Sequence, residues 1–121
     1  MLEKKPSEHT EPERFYHGFV LGLIVDLADK YRITSNKESG LGRYDVMMEP
    51  LTENLDGIIM EFKVRNPAKE KDLEASVQNA LCQIREKRYD TELEARGIPP
   101  ERIRHYGFAF EGKKVLIGSD S

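Results

Sequence analysis

Glu61 and Lys63, an acid and a base two residues apart, interrupt the apolar run of residues 58–63. If this run forms a strand, alternate side chains point to opposite faces of the sheet, so Glu61 and Lys63 share one face. Asp45 lies in an earlier apolar segment, and residues 50–57 between the two segments are typical of a turn. We therefore expect a hairpin that brings Asp45 and Glu61 together at one end of the sheet.

These three side chains carry charge where the surrounding residues indicate a buried sheet. A charge is costly in such a place unless it is paired or bound to something. Two carboxylates beside a lysine can hold a hard divalent cation, which prefers oxygen ligands, and a polarised water molecule. The alternative interpretation is a salt-bridge cluster that serves stability alone. The chemistry favours the cation site.

The overall composition limits what else the chain can be. Its 121 residues, 38% of them hydrophobic, are enough for one domain with a modest core. The net charge of −3 means that binding to a polyanion must depend on local basic clusters. Cys82 is the only cysteine, which excludes an intramolecular disulfide and a cysteine-based zinc site. Without a long apolar span or a signal-peptide pattern, we expect a cytoplasmic protein that does not contact a membrane.

The apolar periodicity predicts a flexible polar arm at residues 1–12 and a single domain at 13–121. Within that domain the predicted order is α-β-β-β-α-β-β, an α/β (α+β) fold with a mixed central sheet flanked by helices. The predicted helices are residues 13–31 and 69–89; the predicted strands are residues 31–35, 44–49, 57–64, 105–111 and 113–117.

The second predicted helix carries an apolar stripe at helical spacing that should pack on the sheet. Gln83 borders this stripe. Glu13 and His17 lie four residues apart on the first helix, beside its own apolar stripe. The stripe of the second helix consists of Leu73, Val77, Ala80, Leu81 and Ile84.

Taken in order, Asp45, the Glu61-Phe62-Lys63 strand and a glutamine on the following helix resemble the PD-(D/E)XK nuclease superfamily. Within that superfamily the chain resembles the nuclease-like C-terminal domain of AAA-ATPase-like bacterial proteins. It has no Gly-x-x-x-x-Gly-Lys-Ser/Thr loop, so we expect either an excised domain or a stand-alone relative. The resemblance spans residues 13–117 and is carried by Phe15-Tyr16-His17-Gly18, Leu21-Gly22-Leu23, residues 35–45, Glu61-Phe62-Lys63, Ala80-Leu81-Cys82-Gln83-Ile84 with Tyr89, and Gly107-Phe108-Ala109-Phe110.

The resemblance implies a restriction-endonuclease-like core and a metal-dependent endo- or exonuclease, with DNA as the favoured substrate and RNA as the alternative. Asp45 and Glu61 would hold Mg²⁺ or Mn²⁺, with the backbone carbonyl of Phe62 as a further oxygen ligand. Glu13 or His17 would complete the site from the first helix. Their alternatives are an acid placed at a helix N-terminus for Glu13 and a packing histidine for His17.

The same resemblance assigns the remaining catalytic roles. Lys63 would orient the attacking water and help to deprotonate it. Gln83 would brace either Lys63 or that water.

Glu38 could reach the metal, although a role in a turn or cap is the stronger interpretation. His105 is interpreted as structural.

Candidate contacts to nucleic acid are Arg43, Arg65, Arg85 and Arg88. Arg43 could bind phosphate or pair with an acid. Arg85 and Arg88, together with Lys87, form either a solvated helix face or a patch that follows the phosphates, and the solvated face is the stronger interpretation.

Two classes of function remain open at this point. The first is a nuclease acting on nucleic acid, DNA in the first place. The second is a catalytically quiet module that keeps the nuclease fold and mediates interaction with an ATPase or a partner chain. An attached ATPase domain, a partner chain or a second copy in a homodimer would supply affinity that a net-acidic domain lacks.

Overall fold

The computed structural model of the chain describes residues 18–38 and 43–120. No helix among these residues has both the length and the apolarity needed to cross a membrane. The described elements are α1 (residues 18–27), β1 (Tyr31–Glu38), β2 (Arg43–Pro50), β3 (Gly57–Val64), α2 (Leu73–Lys87), α3 (Tyr89–Ala95), a 3-10 turn (Pro100–Arg102), β4 (Ile103–Glu111) and β5 (Lys114–Ser119).

The five strands form one mixed sheet in the order β1-β2-β3-β4-β5. Neighbouring strands are antiparallel except for β3 and β4, which are parallel. A parallel pair needs a crossover connection, and α2 and α3 supply it. The predicted order and the mixed sheet are confirmed, and α3 is an additional helix.

The alternation of side chains along β3 divides the core into two layers. Phe62 belongs to the layer that includes Val20 of α1, while Ile59 belongs to the layer of α2 and α3. The predicted stripe of α2 lies in this second layer, so its packing on the sheet is confirmed. The buried members of the second layer are Met47, Ile59, Val77, Leu81, Ile84, Leu93, Ile103 and Ala109.

The predicted bounds of the helices were too wide. α1 ends at residue 27, because Tyr31 already begins β1. Asp72 caps the N-terminus of α2, where its Oδ1 accepts a hydrogen bond from the backbone N–H of Ala75 at 2.9 Å. At the other end Arg88 takes a left-handed conformation with φ of 56°, which ends α2 before α3 begins.

The strands are longer than predicted, except that β3 has the predicted bounds. β1 stays paired with β2 as far as Glu38, which lies opposite Arg43, so the first strand extends three residues beyond its predicted end at residue 35. The predicted arm at residues 1–12 and the first part of the predicted first helix lie outside the described residues.

Two glycines let α2 lie close to the sheet. Gly107 of β4 and Gly118 of β5 are cross-strand partners. A Cβ atom at Gly118 would come within 2.6 Å of Val77 Cγ1, and one at Gly107 within 3.0 Å of the Val77 carbonyl oxygen. Gly107 is also the register partner of Glu61. The absence of a side chain there brings α2 down beside the candidate site.

Candidate metal and catalytic site

The hairpin of β2 and β3 sets the positions of the candidate catalytic side chains. Asp45 is the register partner of Glu61, and Arg43 is the register partner of Lys63. Glu61 and Lys63 alternate with Phe62, whose ring lies in the α1 layer, so both point to the α2 side of the sheet. The predicted convergence of Asp45 and Glu61 is confirmed.

Both carboxylates of this pair are buried, with side chains of Asp45 and Glu61 exposed by 2% and 0%. Within the described part of the chain, neither Asp45 Oδ1 nor Glu61 Oε1 has a hydrogen-bond partner. The other oxygen of Glu61 lies 3.5 Å from Arg43 Nε, at the outer limit of a hydrogen bond. Such incomplete satisfaction is costly for a buried carboxylate and requires an explanation.

The surroundings of Glu61 favour its protonated form. Burial and the nearby Asp45 carboxylate raise the pKa of Glu61 from 4.5 to about 7, although Lys87 and Arg43 oppose this shift. Near neutral pH the pair therefore gains a proton easily, and a bound cation would supply the positive charge that this environment lacks.

Asp45 is held through its second oxygen by the end of α2 and the start of α3. Its Oδ2 accepts hydrogen bonds from Lys87 Nζ at 3.0 Å and from Tyr89 Oη at 2.6 Å. The interpretation of Lys87 as part of a solvated helix face was wrong, because the last turn of α2 directs this lysine to Asp45. Tyr89 is one of the residues that carry the resemblance to the superfamily, but its contact with Asp45 was not predicted.

Lys63 pairs with Glu70, a residue of the loop before α2. Glu70 is 3% exposed and also accepts hydrogen bonds from the backbone N–H of Asn66 at 2.8 Å, Ser76 Oγ at 2.7 Å and Asn79 Nδ2 at 2.7 Å. Burial opposes ionisation, but these donors together with Lys63 outweigh it and hold the pKa of Glu70 at about 2. Glu70 is therefore a fully satisfied buried carboxylate.

Sequence reasoning missed Glu70 because residues 69–89 were predicted to be one helix, in which Glu70 would be an ordinary first-turn acid. A usable signal was present. A lysine at a buried strand position needs a counter-charge, and Glu70 is the next acidic residue after Lys63.

A cavity of about 520 Å³ opens beside Lys63, and Gln83 is in its wall. Its cationic lining residues are Arg43, Lys63 and Lys69. A smaller cavity of about 110 Å³ is lined by Thr34, Asp45, Met47, Tyr89 and Glu92.

A sequence profile of the PD-(D/E)XK nuclease superfamily matches residues 11–120, nearly the whole chain. The chain belongs to the PD-(D/E)XK nuclease superfamily. Its five-stranded mixed sheet with helices on both faces agrees with the restriction-endonuclease-like fold of this superfamily. No curated protein sequence matches the chain.

Divalent metals are generally used by nucleases of this superfamily. The described residues contain no group of three or more His, Cys, Asp or Glu side chains that could hold a metal. They do contain the two buried oxygens of Asp45 and Glu61 that lack hydrogen-bond partners. Mg²⁺ keeps several of its waters and needs few protein carboxylates, so this pair fits such an ion.

The structure describes only some of the other predicted metal ligands. Glu13 and His17 lie outside the described residues, and so does the side chain of Glu38. The ring of Phe62 is stacked on Phe108 in the α1 layer, with 4.5 Å between centroids. Metal binding by the Phe62 carbonyl stays a prediction.

Gln83 and Lys63 line the same cavity. Among the described residues, the hydrogen-bond partner of the Lys63 ammonium is Glu70, and no hydrogen bond joins Lys63 to Gln83. Of the two predicted roles for Gln83, contact with a water in the cavity stays a prediction.

The four arginines predicted to contact nucleic acid have different surroundings. Arg43 lies beside Glu61 and lines the larger cavity. Arg65 is engaged within the protein, where it donates hydrogen bonds to the carbonyl oxygen of Glu70 at 3.0 Å and to Glu111. Arg85 pairs with Asp120 on the surface, and Arg88 is exposed at the left-handed end of α2.

His105 agrees with its structural interpretation. Its Nε2 lies 2.8 Å from Asp90 Oδ2, and its Nδ1 lies 3.0 Å from Asp120 Oδ1. The histidine therefore ties the start of α3 and the end of the described chain to β4.

Proposed function

We propose that the chain is a metal-dependent nuclease that hydrolyses phosphodiester bonds of DNA. In this proposal Asp45 and Glu61 hold Mg²⁺ or Mn²⁺. The observation that carries it is the register pair Asp45 and Glu61, each with one buried oxygen, Oδ1 and Oε1, that lacks a hydrogen-bond partner within the described residues. Superfamily membership over residues 11–120 supports the same reaction class.

The surrounding residues prepare this pair for a cation. Lys87 and Tyr89 hold Oδ2 of Asp45, which leaves Oδ1 for a ligand. Burial keeps bulk water from Glu61, so its charge would act at low local dielectric. The bound metal would supply the positive charge that stabilises the phosphate oxygens and makes water a stronger acid.

Lys63 serves the attacking water rather than the metal. A protonated lysine has three N–H donors and no acceptor, so it cannot be a metal ligand in that form. Lys63 lines the larger cavity, where its ammonium would donate a hydrogen bond to the water and stabilise the hydroxide that forms in the transition state.

The larger cavity is the proposed entry of the substrate phosphate, because Arg43, Lys63 and Lys69 line it. These cations belong to a chain with a net charge of −3. We therefore expect weak DNA binding by the chain alone, with an affinity that falls steeply as salt rises. Tight binding that is unchanged between low and high salt would contradict this expectation.

The test combines Mn²⁺ calorimetry with cleavage of single- and double-stranded DNA for the wild type, Glu61→Ala, Lys63→Ala and Arg96→Ala. We expect Glu61→Ala to lose metal binding and cleavage together. Lys63→Ala should lose cleavage while Mn²⁺ binding largely survives. Arg96→Ala is the control, because Arg96 pairs with Glu49 at an exposed position and lines neither the cavity beside Lys63 nor the smaller one beside Asp45.

Two outcomes would change the assignment. If the wild type binds Mn²⁺ but cuts neither DNA form, the function is instead a quiet nuclease-fold module that serves an ATPase or a partner chain. If the wild type binds no metal, the assignment of Asp45 and Glu61 as ligands is wrong.

A further inference from the structure

Lys63 has two sets of acidic groups within reach. Glu61 lies two residues away on the same face of β3, and Asp45 lies diagonally across the β2–β3 pair. Residues two apart on a strand are separated by about 7 Å, a distance that the long lysine side chain can bridge. The ammonium nevertheless pairs with Glu70, and in the described structure no ion pair joins it to Glu61 or Asp45.

Glu70 is fixed by donors that do not depend on Lys63. The backbone N–H of Asn66 and the hydroxyl of Ser76 donate to its Oε1 at 2.8 and 2.7 Å. Asn79 Nδ2 donates to its Oε2 at 2.7 Å, the oxygen that also accepts from Lys63. The carboxylate is thus anchored to the loop and to α2, and it is the flexible lysine that comes to it.

The charges around Asp45 and Glu61 make the position of Lys63 important. Lys87 and Arg43 already contact this pair. A third cation that turned to the free oxygens would satisfy them and compete with a metal ion for the same place. The lysine must therefore be kept near the site but off its ligands.

We propose that Glu70 is a positioning residue that holds the Lys63 ammonium away from Asp45 and Glu61 and so keeps these carboxylates open to a divalent cation. This inference rests on the proposed metal-dependent function. It gives Glu70 two effects through one contact, because the same ion pair also fixes Lys63 at the wall of the larger cavity.

The experiment is Mn²⁺ titration of four variants beside the wild type. In Glu70→Gln the released lysine turns to the carboxylate pair, and Mn²⁺ affinity should fall by about tenfold or more, the effect of a hydrogen bond to a charged group. Lys63→Met should bind Mn²⁺ at least as tightly as the wild type. The double variant Glu70→Gln/Lys63→Met should regain wild-type affinity, because the competing ammonium is gone. Ser76→Ala, which removes one donor to Glu70 and leaves its charge, should bind as the wild type does.

Rescue by the second substitution separates positioning from folding. A merely structural role for Glu70 would leave the double variant as weak as Glu70→Gln, and that result would overturn the inference, as would unchanged affinity in Glu70→Gln. If Glu70→Gln does not fold, Glu70→Asp replaces it: this variant keeps the charge but retracts it by one methylene group, and Lys63→Met should rescue its weaker binding.

A metal-free measurement keeps this inference distinct from the proposed function. A crystal structure of Glu70→Gln, or of Glu70→Asp in its place, should show Lys63 Nζ within hydrogen-bond distance of Glu61 or Asp45. If the wild type bound no Mn²⁺, the proposed function would fail, and this structure would still decide whether Glu70 positions Lys63. A lysine that stayed in its wild-type place would overturn the positioning role.

Discussion

Glu61 and Glu70 are equally buried carboxyl groups with opposite surroundings. Their side chains are 0% and 2% exposed. Glu61 has one long contact to Arg43 and an oxygen without a partner in the described structure, and its pKa is raised to about 7. Glu70 accepts from a lysine, a backbone amide, a hydroxyl and an amide side chain, and its pKa is lowered to about 2.

The contrast shows that burial alone does not decide the state of a carboxyl group; its hydrogen-bond donors and the neighbouring charges decide it as well. A fully satisfied carboxylate such as Glu70 belongs to the scaffold, where it fixes its partners. An unsatisfied one beside a second carboxylate stores unfavourable energy that a ligand can relieve, which is why such pairs indicate functional sites. The two regions meet at Lys63, which shares a face with Glu61 and pairs with Glu70.

Removal of the satisfied carboxylate should have the largest effect on folding. We expect Glu70→Ala to lower the free energy of unfolding by about 3–5 kcal/mol, because it breaks a buried ion pair and leaves the donors of Asn66, Ser76 and Asn79 without their acceptor. Urea unfolding at pH 7 measures this loss. Glu94→Ala, at an exposed position of α3, is the control and should change stability by less than about 0.5 kcal/mol. A loss of that small size in Glu70→Ala would show that the pocket of donors is not stabilising.

The two groups should also give stability opposite dependences on pH. The folded-state pKa of Glu61 is about 7, above its usual 4.5, so its contribution is fully present below pH 4.5 and is lost as the pH rises through 7. The folded-state pKa of Glu70 is about 2, so its contribution is present above pH 4.5 and is lost as the pH falls through 2. Each group can change the free energy of unfolding by at most about 1.4 kcal/mol per pH unit.

Metal-free urea unfolding between pH 2 and 8 checks these slopes. Glu61→Gln should flatten the decline in the free energy of unfolding between pH 4.5 and 7 and leave its pH dependence below 4.5 unchanged. Glu70→Gln should remove the loss of stability below pH 4.5 and, because the released Lys63 reaches Glu61 or Asp45, should only lessen the decline between pH 4.5 and 7. A substitution that changed the pH dependence of stability equally below pH 4.5 and between pH 4.5 and 7 would contradict this difference between the two groups.

Removal of the charge from the unsatisfied carboxyl group should stabilise the fold. At pH 8 we expect Glu61→Gln to raise the free energy of unfolding by about 1–2 kcal/mol, because a buried carboxylate with poor partners becomes neutral. The gain should shrink at pH 5, where Glu61 is already protonated in the folded state. Thermal and urea unfolding at both pH values measure the difference. A net loss at pH 8 would mean that Glu61 is better satisfied than its contacts indicate.

The last expected effect concerns Asp45 Oδ2, the oxygen of Asp45 that has hydrogen-bond donors. Tyr89→Phe removes the hydroxyl that donates to Asp45 Oδ2 at 2.6 Å and should cost about 1–2 kcal/mol. Lys87 still donates to the same oxygen, so Asp45 keeps one charged partner. Urea unfolding at pH 7 gives the value. An unchanged midpoint would show that this hydrogen bond does not stabilise the folded state.

Much of the fold could be predicted because it depends on short-range geometry. The alternation of apolar and charged residues gave the bounds of β3, and the helical stripe of α2 indicated the face that packs on the sheet. The same alternation placed Glu61 and Lys63 on one face. The turn before β3 was enough to align Asp45 with Glu61, because a hairpin joins neighbours in sequence.

The partners of those side chains depend on where distant elements meet, which periodicity does not encode. Lys87 and Tyr89 reach Asp45 only because Arg88 breaks the helix in a left-handed conformation. Glu70 reaches Lys63 only because α2 begins at Leu73, after a loop rather than a helical turn.

The amino-acid sequence by itself therefore determined the candidate carboxylates, the lysine and the strand that carries two of them, since backbone alternation is a local property. The tertiary structure alone decided which carboxylates are satisfied. That depends on how closely α2 approaches the sheet above Gly107 and Gly118, and hence on contacts between residues far apart in the chain. The electrostatic difference between Glu61 and Glu70 follows from this docking, because each carboxyl group responds to the donors that folding places around it.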